Sequence, residues 1–133
     1  MAIRFVEIHP ASDAEKLNTE WVVIENDGKA PFQTRGCGMT VGTRGSAKKT
    51  MLGIIDPGFL LGPGEKVRML TGHPGKDTDP PPDENGVKNY YLLLPKAYVK
   101  GTGTVLTLTL RGMPICKGEH DPAGEAGVAA VKG

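Results

Sequence analysis

Leu17-Asn18-Thr19-Glu20-Trp21-Val22-Val23-Ile24-Glu25-Asn26-Asp27-Gly28 is the stretch on which the fold turns. A polar approach leads into an apolar run and stops at a turn signal, Asp27-Gly28. Tryptophan, valine and isoleucine suit a half-buried pleated surface, so the run is a strand. Side chains alternate along a strand, which directs Val22 and Ile24 to one face and Trp21 and Val23 to the other. Asn26 is placed to end the strand by bonding its side-chain amide to nearby backbone.

Outward from this centre the chain reads as further short strands. Ile3 to Ile8 is one, with Phe5, Val6 and Ile8 available for burial, and His9-Pro10 closes it. Ser12 to Glu15 has capping-box spacing, compatible with one helical turn or with a plain polar loop. Downstream, strands are expected at Thr34 to Val41 and Val67 to Thr71, with a brief apolar run at Met51 to Ile55 between them. Gly36 and Gly38 inside the first of these suggest a bulge or a close approach. Thr104 to Leu110 alternates cleanly, with Leu106, Leu108 and Leu110 inward and Thr107 and Thr109 outward. Pro114 to Lys117 is a last strand. Tyr90 to Leu94 reads as a strand or as a buried loop anchor.

Composition supports an all-β class. The 133 residues fit one domain with a real core, and 19 glycines and 11 prolines keep the elements short. Residues 72–86, rich in proline and acid, form a polyproline-flavoured excursion. From Glu119 the chain is glycine, alanine and charge, so residues 1–118 are expected to fold and 119–133 to form a disordered tail. A net charge of +1 argues against a strongly basic nucleic-acid binder. No signal peptide or membrane span is visible, which implies a soluble cytoplasmic monomer if Met1 is the natural start.

Two motifs resemble a known family. Val6-Glu7-Ile8, Pro10 and Leu17 to Gly28 resemble the opening of lamin tail domains, the bacterial members above all. Leu61-Gly62-Pro63-Gly64-Glu65-Lys66-Val67 and Leu70-Thr71-Gly72 continue the likeness, which covers roughly residues 5–117. It implies an immunoglobulin-like β-sandwich of about seven to nine short strands, acting as a non-catalytic interaction or scaffold module for a protein partner. Where the family has Gly-Trp this chain has Gly36-Cys37. Tyr90, Tyr91 or the Phe59-Leu60 pair are the candidates to fill that volume.

Little in the sequence points to catalysis. Ser12 and Ser46 are the only serines and neither lies in a nucleophile motif, so a small hydrolase is the most distant alternative. His9, His73 and His120 stand far apart beside turns, as solvated loop histidines would. Cys37 and Cys116 lack metal or redox spacing and read as inert core thiols, although one disulfide between them stays open. Asp77, Asp79, Asp83 and Glu84 gather oxygens, but prolines among them spoil a calcium loop and favour a solvated acidic segment. No cofactor or metal is expected. The one asymmetry is charge: between Asp27 and Asp56 there is no acid, while Lys29, Arg35, Arg44, Lys48 and Lys49 all fall there. These five are the candidate partner-binding residues. They suit an acidic protein or, as the alternative function, weak non-specific nucleic-acid binding.

Overall fold

The structure, a computed structural model, describes residues 3–12, 15–55, 58–72 and 87–129. The described residues contain ten strands: β1 (Ile3–His9), β2 (Trp21–Asn26), β3 (Phe32–Gln33), β4 (Cys37–Thr43), β5 (Lys49–Ile54), β6 (Leu60–Leu61), β7 (Lys66–Leu70), β8 (Val87–Tyr91), β9 (Thr104–Leu110) and β10 (Met113–Glu119). One sheet has the order β1-β2-β7-β8, a second β10-β9-β4-β5, and β3 and β6 form a small third. Pairing is antiparallel except for β7 with β8. The result is an all-β, sandwich-like fold.

The core lies between the two large sheets, and the alternation read from the sequence places it. Val22 and Ile24 of β2, Val67 and Met69 of β7, and Leu106 and Leu108 of β9 are all buried in one cluster. Met39 and Cys37 of β4 join them. Burying one such side chain contributes about 1.5–3 kcal/mol, so this cluster is the main source of stability. Thr107 of β9, expected to face outward, is buried as well.

Several boundaries differ from the expectation, each for a local reason. In β1 the register shifts between Phe5 and Glu7. Val6 is the extra residue, and this bulge lets Ile3, Phe5 and Ile8 all face the core despite their uneven spacing. The expected strand from Thr34 is broken by a turn at Gly36, whose φ of +82° favours glycine. Gly38 sits instead beneath a neighbour: a Cβ there would lie 3.2 Å from the Met51 sulfur. Both readings of Tyr90 to Leu94 hold in part. Tyr91 ends β8, and Leu92 and Leu94 then donate backbone N–H bonds to Leu70 and Thr71.

The turn from β6 into β7 shows why its sequence is so constrained. The Glu65 carboxylate accepts the Gly62 N–H and pairs with Lys88 at 3.2 Å. Those contacts, the Gly62 bond first, hold its carboxyl below the usual carboxylate range. Gly64 adopts a φ of +79°.

Where the composition led to the expectation of a disordered tail, the segment after β10 packs back on the sandwich as far as Ala129. Strand β10 itself runs on to Glu119, and His120, only 3% exposed, bridges to Val128. Its Nδ1 donates to the Gly127 carbonyl at 2.9 Å, and Ala129 N–H donates to the Glu119 carbonyl. Gly127 lies so close to the Ile8 carbonyl that a Cβ would be 2.2 Å from its oxygen. Small residues dock here because backbone meets backbone; apolar bulk is not required. The proline-rich acidic excursion, including His73 and the Asp77 to Glu84 oxygens, lies outside the described residues. Among those residues, no helix is long and apolar enough to cross a membrane.

Candidate interaction surface

Three polar residues of the opening stretch, Asn18, Glu20 and Asn26, are buried, and each holds a loop. The Glu20 carboxylate accepts the Thr71 hydroxyl at 2.7 Å and the backbone N–H groups of Tyr98 and Val99 at 3.1 and 3.0 Å. Its own carbonyl accepts the Thr71 N–H. One side chain therefore ties the start of β2 to the end of β7 and to the approach to β9. Burial, and then the Glu20 carboxylate nearby, push the Tyr98 phenol up. Asn18 accepts the Gly72 N–H at 2.7 Å. Asn26 ends β2 as its position suggested: its amide donates to the Ala30 and Leu61 carbonyls and its oxygen accepts the Gly28 N–H.

The thiols are equally inward. Cys37 is buried on β4, Cys116 is half-buried on β10, and neither is in a disulfide. Strand β9 runs between them. Two strand spacings amount to roughly 9–10 Å, beyond the ~7 Å over which two Cα atoms can be bridged. Burial pushes the Cys37 thiol up; burial and then Cys37 push Cys116 up to about 12. Neither supplies a thiolate near neutral pH. Among the described residues no three metal-ligating side chains gather.

Two histidines differ from the solvated loops expected of them. His120 is the buried anchor described above. His9 stacks on Trp21 with ring centroids 4.0 Å apart, and its Nδ1 donates to the Thr19 carbonyl. The Arg68 guanidinium lies 5.4 Å from the same indole centroid, within reach of a cation–π contact.

The five cations are all exposed but do not form one patch. Arg35 precedes β4, whereas Arg44, Lys48 and Lys49 follow it, and the seven residues of β4 span roughly 20 Å. Lys29 lies in the turn after β2. That span exceeds the ~8 Å screening length of physiological salt, so the two ends act separately. Arg44 is also tied down: its guanidinium pairs with Glu119 at 3.1 Å and its N–H donates to the Gly103 carbonyl. Lys48 and Lys49 are in no ion pair among the described residues.

Sequence reading missed the surface beside those lysines. Strand β5 is the edge of its sheet and is exposed along nearly its whole length. Met51 is 54% and Ile54 64% exposed. Leu52, Ile54, Ile55 and Met39 meet Tyr90 and Leu92 across a cleft between β5 and β8, the edges of the two sheets. Its volume of about 30 Å³ is far below the ~300–1,000 Å³ of a small-molecule pocket. The available signal was the run of uncharged, turn-free residues from Thr50 to Ile55, which reads equally well as buried. No protein-family model matches this chain, and no curated protein is significantly similar to it.

Proposed function

We propose that this chain is a non-catalytic interaction module of the lamin-tail type, an immunoglobulin-like sandwich that binds a protein partner. The reading rests on one observation: Met51 and Ile54, two of the five large apolar side chains exposed among the described residues, lie on the edge strand β5 beside Lys48 and Lys49, which are in no ion pair among those residues. Exposed strand edges are recurrent protein-binding elements. The Leu17 to Gly28 and Leu61 to Val67 motifs agree with the lamin-tail assignment.

Nucleic-acid binding is the weaker reading, because phosphate contacts gain from a continuous basic track and these cations are divided. The test is recovery of a partner with the tagged chain, then titration of the two purified proteins. Saturable binding to that protein is expected, without retention on duplex DNA at about 150 mM salt. Salt-sensitive retention on DNA, with no protein bound, would overturn the proposal.

A further inference from the structure

We infer that β5 is a docking edge for an extended, acid-bearing segment of the partner, which joins the second sheet beside β5. The inference rests on the interaction-module reading above and narrows it to one strand and one partner chemistry.

Three features carry it. First, β5 ends the order β10-β9-β4-β5, so alternate residues of Lys49–Ile54 direct backbone N–H and C=O groups away from the sheet. An added strand would pair with them. Second, side chains are in place to receive it: Met51 and Ile54 stand exposed, and Leu52 lies in the cleft shared with Tyr90 and Leu92. The register shift between Met39 and Thr40 makes Leu52 the bulged residue of β5, which accounts for its separate direction.

Third, the charges bracket the strand. Lys48 and Lys49 stand at its start, and Gly36 N–H donates to the Ile55 carbonyl, setting Arg35 beside its end. Arg35 on one side and Lys48 with Lys49 on the other thus stand at the two ends of β5. Lysine on an exposed edge deters pairing with a like strand. A second copy docked antiparallel would bring its Arg35 against Lys48 and Lys49, cation against cation. A segment with acids at both ends and alternating apolar residues between them meets neither obstacle.

The test uses the full isotope-labelled chain and three synthetic decapeptides of alternating β-branched and polar residues. One ends in glutamates at both termini, one in lysines, and one carries glutamates with a central proline. The glutamate peptide should bind and shift the amides of residues 49–54, while the lysine and proline peptides should not. A Lys48→Glu/Lys49→Glu variant should weaken binding about tenfold, as losing two exposed charge contacts does. Met51→Ser/Ile54→Ser should weaken it with the charges intact.

Equal binding of the glutamate and lysine peptides would overturn the inference, as would shifts confined to another face. Self-association through β5 in place of peptide binding would overturn it too. A native protein partner that protects the Trp21 face while the β5 amides stay unchanged would sink the docking edge and leave the interaction-module reading standing.

Discussion

The two lateral sides of the sandwich are built in opposite ways. On one side β1 meets β10, and Gly118 lies against Phe5 so closely that a Cβ would sit 2.7 Å from the Phe5 Cβ. The segment beyond β10 then folds back, with His120 and Val128 bridged and Gly127 on the Ile8 carbonyl. On the other side β5 and β8 leave a shallow cleft with Ile54 and Met51 in the open. Composition suggested a loose glycine- and alanine-rich end, and it marked Met51 to Ile55 only as a brief apolar run. The contrast teaches that closure here is a matter of backbone approach. Glycines close one side because they let chains touch, while Met51 and Ile54 stay exposed on the other.

The core shared by both sides sets the upper limit for any mutational effect. Ile24 and Leu108 are fully buried, so Ile24→Ala or Leu108→Ala should each cost ~2–5 kcal/mol in urea unfolding. A loss under about half a kcal/mol would place those side chains at the surface. Glu20→Ala comes next. It leaves the Tyr98 and Val99 amides without their acceptor, and an orphaned buried donor costs ~1–3 kcal/mol. Hydrogen exchange at those two amides should rise with the loss of stability. Unchanged protection there would mean that backbone, and not Glu20, holds this loop.

The closed side can be broken directly. Gly118→Val forces the Phe5 ring or β10 to move, and such overpacking costs ~1–3 kcal/mol. Removing residues 120–133 takes away the buried His120 and Val128, which packs against the core, and should lower stability by a comparable ~1–3 kcal/mol, given what one buried aliphatic side chain contributes. A thermal midpoint unmoved by the truncation would restore the disordered-tail reading and dissolve the contrast between the sides.

How much of this was legible depended on whether the signal was local. The alternation at Val22/Ile24, Val67/Met69 and Leu106/Leu108 gave the two faces directly, because a strand's period is a property of the strand itself. The Asn26 cap was legible for the same reason. Pairing order was not. Met51 to Ile55 looks like a core strand until β5 is known to lie at an edge. Likewise the burial of Glu20 was not legible, since its donors at Thr71, Tyr98 and Val99 are distant in sequence. The cations were found as a composition bias, but only the pairing of β4 with β5 shows that Arg35 and the Lys48–Lys49 pair stand at the two ends of one edge strand.

The smallest expected effect probes the open side. Ile54 is 64% exposed, so most of its apolar surface already faces water in the folded chain. Burial contributes ~25 cal/mol per Å² of apolar area removed from solvent, and here little is removed. Ile54→Ser should therefore shift stability by under ~0.5 kcal/mol, as surface substitutions do. Measured in the same urea series as Ile24→Ala, it gives two isoleucines of one molecule with very different costs. A loss from Ile54→Ser approaching that of Ile24→Ala would show that something covers β5 in solution. The edge would then be occupied within the protein itself, and a partner would have to be sought elsewhere, with the His9, Trp21 and Arg68 stack as the next surface to test.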